Sequence, residues 1–135
     1  MTVTGINHIA MVTTDLERHA RFYGEVFGAT VTFRMEASSD HPRMWIYELG
    51  GGSSFNVFET TADQIVGDRR QQGGRGPIDH FGIGVDSRTS LELVKERLVA
   101  ADADIGDVQD LGGEWSLFFR DIDGMELEVT APLDA

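Results

Sequence analysis

Apolar residues recur along this chain in two rhythms, and the same succession of rhythms occurs twice. Residues 6–12 form an apolar run between Gly5 and a Thr-Thr-Asp stretch, which predicts a buried strand. Leu16, Ala20, Tyr23 and Phe27 follow at helical spacing, with Glu17, Arg18, Arg21 and Glu25 on the other side. Thr14 with Glu17 three residues later matches a capping box, and Gly28 stands where a helix C-terminus takes a positive φ. An amphipathic helix of about three turns is expected between these signals. Three strand-like stretches come next, at 29–35, 43–49 and 54–59. Asp40-His41-Pro42 and Gly50-Gly51-Gly52 separate them as turns.

The segment 60–76 breaks the pattern. It is polar and ends in Gln71-Gln72-Gly73-Gly74-Arg75-Gly76, so it reads as a linker with a short helix at 62–70. The order then restarts. A strand is predicted at 78–85 and a helix at 87–101, with Leu91, Val94, Leu98 and Ala101 on one face. Strands follow at 104–109 and 115–120. Asp121-Ile122-Asp123-Gly124 is a turn, and 125–130 is the last strand.

The restart is a repeat at a constant offset of 72 residues. Ile6-Asn7-His8 falls on Ile78-Asp79-His80, Val26-Phe27 on Leu98-Val99, Trp45-Ile46-Tyr47 on Leu117-Phe118-Phe119, and Phe55-Asn56-Val57 on Leu127-Glu128-Val129. A gapless register that joins strand to strand and helix to helix is the signature of two copies of one βαβββ unit. The chain is therefore expected to be a single α+β domain over 1–135, with unit one at 5–59, the linker at 60–76 and unit two at 77–131. Two such units usually pack about a pseudo-twofold axis, where equivalent residues converge. Strand parity shows which side chains are available for that. His8 shares a face with Ile6, Ala10 and Val12, and His80 with Ile78, Gly82 and Gly84. Small residues at 10, 82 and 84 leave room beside both imidazoles. In the last strand Met125, Leu127 and Val129 point one way, into the helix-covered core, and Glu126, Glu128 and Thr130 the other. Glu59 has the opposite parity to Asn56 and faces elsewhere.

Composition narrows the chemistry. The 135 residues suffice for one cored domain. The chain has no Cys, so disulfides, thiolate zinc sites and a thiol nucleophile are excluded, and any metal is held by His, carboxylate or amide oxygen. Asp and Glu total 23 against 11 Lys and Arg, for a net charge of −12. Such a field repels phosphate backbones and anionic membranes, so neither nucleic acid nor a membrane is an expected partner. No apolar stretch reaches membrane-span length and residues 1–7 lack a secretory signal pattern, so a cytoplasmic location is expected.

Four stretches together resemble the vicinal-oxygen-chelate superfamily: Ile6-Asn7-His8-Ile9-Ala10-Met11-Val12, Phe22-Tyr23-Gly24-Glu25-Val26-Phe27-Gly28, Asp79-His80-Phe81-Gly82-Ile83-Gly84-Val85, and Asp121-Ile122-Asp123-Gly124-Met125-Glu126-Leu127-Glu128. That superfamily includes glyoxalase I, extradiol ring-cleaving dioxygenases, methylmalonyl-CoA epimerase, fosfomycin resistance enzymes and bleomycin-binding proteins. The resemblance implies a glyoxalase/dioxygenase-like fold, in which the repeats form a curved mixed sheet around a concave metal-binding cup, and a homodimer. In metal-binding members the ligands come from the first and last strand of each unit. Carried over by position, these are His8, Asn56, His80 and Glu128. The resemblance thus implies His8, His80 and Glu128 as ligands of Fe2+, Mn2+, Zn2+ or Ni2+. At the fourth position, where glyoxalase-like and epimerase-like members have a carboxylate, His or Gln, this chain has the shorter, uncharged Asn56.

The leading expectation is a metal-dependent enzyme acting on a small oxygen-rich substrate, tilted by the missing fourth ligand towards dioxygenase-like chemistry with two His and one carboxylate. A glyoxalase-like lyase or isomerase stands close behind, and a metal-free drug-binding protein is the third reading. Metal content separates the last from the first two. Other candidates have plainer readings. His19 and His41 are expected at the surface. Arg69, Arg70 and Arg75 read first as a solvated linker and second as a clamp for an anionic group. Trp45, Tyr47, Trp115, Phe118 and Phe119 are expected to divide between core and cleft by strand parity.

Overall fold

The computed structural model describes residues 1–133, which divide into two compact units, Met1–Val66 and a second beginning at Gly67. The division falls inside the polar segment that the sequence sets apart. Each unit is an α+β body with its own mixed sheet.

In the first unit, β1 (His8–Thr13) leads into α1 (Leu16–Phe27), then β2 (Thr30–Met35), β3 (Met44–Gly50) and β4 (Ser53–Glu59). The sheet order is β1-β4-β3-β2. β1 and β4 run parallel and the other neighbours antiparallel. A parallel pair needs a long crossover, and α1 lies within it. The helix packs on β3 and β4. Its buried stripe is Leu16, His19, Phe22, Tyr23 and Val26, set against Tyr47, Phe55 and Val57 of the sheet. Tyr23 meets Phe55 edge-on, with ring centroids 5.2 Å apart. Each fully buried apolar side chain of this kind contributes about 1.5–3 kcal/mol over its exposed state. Gly28 ends the helix at φ 72°, as its position predicts.

The helix start departs from the predicted capping box. Asp15, not Thr14, is the cap, and its side chain accepts the Arg18 N–H at 3.0 Å. Glu17 does not close a box, because its carboxylate is paired with Arg43, which lowers its pKa. Glu59 of β4 instead accepts the Leu16 N–H.

His19 is a second correction, since it is fully buried. Three residues after Leu16 and four before Tyr23, it belongs to the inward stripe. The charged neighbours in sequence lie on other faces. Its Nδ1 is 3.2 Å from the Tyr47 hydroxyl, and its ring lies 4.7 Å from that of Tyr23.

Only a 3-10 turn at Ala62–Gln64 forms where a short helix was expected at 62–70. Gly67 at φ 86° puts the backbone in a conformation that a continuing helix excludes.

In the second unit, β5 (Phe81–Gly84) is followed by α2 (Arg88–Ala100), β6 (Asp104–Ile105), β7 (Gln109–Leu111), β8 (Glu114–Arg120) and β9 (Glu126–Pro132). The order is β5-β9-β8-β6, and β7 also pairs with β8. Ser87 caps α2 by accepting the Ser90 N–H. Leu91, Val94 and Leu98 of the helix are buried, as are Leu117, Phe119, Leu127 and Val129 of the sheet. The turn after β8 is held by Asp121, whose Oδ1 accepts the Asp123 and Met125 N–H groups, with Gly124 at φ 77°.

The offset of 72 survives at the level of strand register. Ala10 pairs with Asn56 as Gly82 pairs with Glu128, and Ile46 pairs with Asn56 as Phe118 pairs with Glu128. It slips after the helices. Thr30 pairs with Glu48 in the first unit, whereas Asp104 pairs with Arg120 in the second. The added helical residue and Asp102 at φ 57° take up the difference. β6 and β7 together answer to β2: Asp104 and Ile105 pair with Arg120 and Phe119, and Gln109 with Ser116, where Thr30, Val31 and Met35 pair with Glu48, Tyr47 and Met44. The second unit is thus βαβββ as well, with its edge strand interrupted between Ile105 and Gln109.

Candidate metal centre

The four positions carried over from the family resemblance lie on equivalent faces of equivalent strands. His8 opens β1 and is exposed. Its partner across the parallel pair is Ser54, and the next pair on that face is Ala10 with Asn56. His8 and Asn56 therefore share one face of β1 and β4, a step of two residues apart. His80 directly precedes β5, and Gly82, on the same face, is paired with Glu128 of β9. That face of β9 carries Glu126, Glu128 and Thr130, while Leu127, Val129 and Ala131 fill the core, as alternation requires.

The structure brings His80 and Glu128 into contact. Nε2 of His80 is 3.2 Å from Oε2 of Glu128. The other ends of both side chains are tied down. Nδ1 of His80 lies 2.6 Å from Oδ2 of Asp79, and Ser116 of β8 donates its hydroxyl to Oε1 of Glu128 at 2.6 Å. Phe118 stands edge-on to the imidazole, with ring centroids 5.0 Å apart. Asp79 is held in turn by Arg75, whose Nη1 donates to Oδ1 at 3.0 Å. The first unit echoes part of this: Nδ1 of His8 is 2.8 Å from Oδ1 of Asn7, the residue equivalent to Asp79.

These contacts set the electrostatics. The hydrogen bond with His80, helped by the Arg75 charge, holds the Asp79 carboxyl below the usual carboxylate range. Asp79 first, then Glu128, raises the His80 pKa above the ordinary imidazole value, against a smaller opposing effect of partial burial. An ionised carboxylate only accepts, so the proton between Asp79 and His80 sits on Nδ1. In the neutral ring Nε2 then turns a lone pair towards the Glu128 carboxylate. Two acceptors at 3.2 Å repel each other unless a proton or a cation lies between them. A divalent ion about 2.0–2.2 Å from each atom would span an edge of roughly 2.8–3.6 Å between octahedral and tetrahedral angles, a range that includes the observed separation. The donor set fits a metal.

Asp79 and Ser116 have no role in the sequence reading, and Arg75 enters it only as part of a solvated linker or an anion clamp. The signal for Asp79 was its place next to a repeated His. Ser116 sits two residues from Phe118 on the face that carries Glu128, which parity makes legible. Nothing in the sequence marks Arg75 beyond its charge. The aromatics divide between faces as expected: Tyr47 and Phe119 are buried, and Phe118 lies on the His80 face.

The chain matches the family model of the Glyoxalase/Bleomycin resistance protein/Dioxygenase superfamily over residues 5–129, and it belongs to that superfamily. Among curated proteins, it is 26% identical over 131 residues to a protein of Bacillus subtilis (strain 168) named "Putative ring-cleaving dioxygenase MhqA". The alignment covers 97% of this chain and 41% of that protein, so the chain spans less than half the length of this relative. Among solved structures, a glyoxylase/bleomycin resistance protein/dioxygenase domain from Frankia sp. EAN1pec superposes with a TM-score of 0.81 at 28% identity, covering 97% of this chain and 99% of that one. The fosfomycin resistance protein FosX from Listeria monocytogenes, complexed with Mn(II) and sulfate, shares the fold with a TM-score of 0.71 at 17% identity, covering 97% and 92%. No helix among the described residues is long and apolar enough to cross a membrane.

Proposed function

We propose that this chain is a metal-dependent enzyme acting on a small oxygen-rich substrate, with His8, His80 and Glu128 as the metal ligands and three-ligand, dioxygenase-like chemistry as the favoured reaction. The observation that carries this reading is the pair His80 Nε2 and Glu128 Oε2, 3.2 Å apart with their outer atoms already engaged. His8, on the equivalent strand face, completes a set of two imidazoles and one carboxylate, which suits Fe2+ and leaves coordination positions open. The relative named as a ring-cleaving dioxygenase supports the same direction. Mn2+, Zn2+ and Ni2+ suit the donors as well, and the Mn(II) in the FosX structure supports a divalent ion in this fold.

When bound, such a metal supplies Lewis acidity to two neighbouring substrate oxygens, and a redox-active one also supplies electrons to dioxygen. The remaining roles belong to the chain. His80 and Glu128 present one nitrogen and one oxygen. Phe118 provides an apolar wall beside them. Gly82 and Gly84 keep the same face of β5 free of side chains. Asn56 stands at the fourth position with a neutral amide, and no carboxylate is there to take a proton from a carbon acid. This absence of a base at position 56 places a glyoxalase-like lyase or isomerase second. A cytoplasmic homodimer is part of the same proposal, and light scattering on the purified protein tests the assembly.

The deciding experiment is elemental analysis after anaerobic reconstitution with Fe2+, Mn2+, Zn2+ and Ni2+, on wild type, His80→Ala and Glu128→Ala. About one ion per chain, lost in both variants, is expected. Preference for iron supports ring cleavage, and preference for nickel or zinc supports the isomerase reading. No uptake of any ion overturns both and leaves a metal-free binder of flat ligands.

A further inference from the structure

Arg75 lies in the segment that the sequence reads as a solvated linker or an anion clamp, and its side chain is only 8% exposed. Every guanidinium nitrogen is engaged. Nε donates to the Arg69 carbonyl at 2.9 Å, Nη1 to Asp79 at 3.0 Å, and Nη2 to the Arg70 carbonyl at 3.3 Å. Nη2 also pairs with Glu126, two residues before Glu128 on the same face of β9. Arg75 thus fastens the linker to the strand that carries one proposed ligand and to the residue that precedes the other.

An unconstrained imidazole can place its proton on either nitrogen and can flip its ring, and a free carboxylate can offer either oxygen or both. Each freedom must be lost when a metal binds, and losing it beforehand raises affinity. Asp79 removes the imidazole's freedom, since a carboxylate bound to Nδ1 leaves the lone pair on Nε2. Ser116 removes the carboxylate's, since its hydroxyl occupies Oε1 and leaves Oε2 to face His80. Arg75 keeps Asp79 in place by holding its other oxygen.

We propose that Arg75 and Asp79 are positioning residues for the metal: Arg75 orients Asp79, and Asp79 fixes His80 in the tautomer whose Nε2 is presented, beside Oε2 of Glu128, for ligation. This inference rests on the proposed reading of the site as a metal centre. Outer partners of metal-bound histidines typically change affinity by about 10–100-fold, and a loss in that range is expected here.

The test has two arms on the full chain. In metal-free protein, at a pH where the ring is neutral, imidazole 15N resonances report the His80 tautomer. The expected result is a proton on Nδ1 in wild type and redistribution to Nε2 in Asp79→Ala. A wild-type ring protonated on Nε2 overturns the inference. In the second arm, Zn2+ and Mn2+ affinities are measured by competition with a chelator for wild type, Asp79→Ala, Asp79→Asn and Arg75→Met. Asp79→Ala and Arg75→Met are expected to bind about 10–100-fold more weakly. Asp79→Asn, whose amide oxygen still accepts from Nδ1, should recover part of the loss. Unchanged affinity in Asp79→Ala overturns the inference, as does a loss in Asp79→Asn as large as in Asp79→Ala, because a purely structural role gives no such rescue. Wild type that binds no metal overturns the functional reading instead, and the tautomer measurement then decides by itself whether the orienting relay exists.

Discussion

The carboxylate of Glu59, the last residue of β4, accepts the backbone N–H of Leu16, the first residue of α1, at 3.0 Å. The bond joins two residues 43 positions apart. It satisfies one of the amides that a helix start leaves without a partner and places negative charge at the positive end of the helix. Glu59→Ala should therefore cost about 0.5–2 kcal/mol, in the range of a lost helix cap. Urea unfolding at neutral pH checks this, and a midpoint equal to that of wild type would contradict the assignment.

His19 should behave as a core residue. It is buried between Tyr23 and Tyr47, and removing its ring opens a cavity and strips the Tyr47 hydroxyl of a partner. His19→Ala should destabilise by about 2–4 kcal/mol, as large-to-small core changes do. Arg21→Ala, an exposed change on the same helix, should stay within about 0.5 kcal/mol of wild type. Thermal unfolding of the two variants side by side separates the expectations.

Gly28 and Gly82 are glycines for different reasons. Gly28 sits at φ 72° in the left-handed region, so Gly28→Ala should cost about 1 kcal/mol from backbone strain, even though a Cβ there would meet nothing within 4 Å. Gly82 has no such constraint. A Cβ at Gly82 would meet only the Glu128 carbonyl at 3.9 Å and Thr130 Cγ2 at 4.0 Å. Gly82→Ala should fold with unchanged stability. Gly82→Leu should fold too, but should reduce metal uptake by crowding the face shared with His80 and Glu128. Calorimetry and metal analysis on the three variants check this, and full metal uptake by Gly82→Leu would show that this face is not the site.

Asp86 accepts hydroxyl hydrogen bonds from Ser87 and Ser90 beside the start of α2, which lowers its pKa below the usual value of 3.8. A carboxyl with a depressed folded-state pKa contributes stability that is present above its unfolded value and is lost as pH falls through the folded one. Between pH 5 and about 3 the wild type should therefore lose more stability than Asp86→Asn. Denaturant midpoints of both proteins across that interval give the comparison, and parallel curves would contradict it.

The residues themselves determine much of this protein. Hydrophobic period sets the strands and both helices, because a buried stripe needs apolar residues every three or four positions and a half-buried strand needs them every two. The offset of 72 and strand parity single out His80 and Glu128, and the family resemblance implies that their strands serve one site; the pairing of β5 with β9 that sets them side by side belongs to the fold. Tertiary structure decided what period does not encode. His19 goes inside because its position on the helix outranks its polarity. The helix cap moves to Asp15 because Glu17 finds Arg43 and the distant Glu59 takes its place. Arg75 is drawn out of a supposed solvent linker by two carboxylates, Asp79 four residues on and Glu126, which only folding brings beside it. Local pattern records which residues share a face, and the partner of a charged group depends on contacts between segments far apart in the chain.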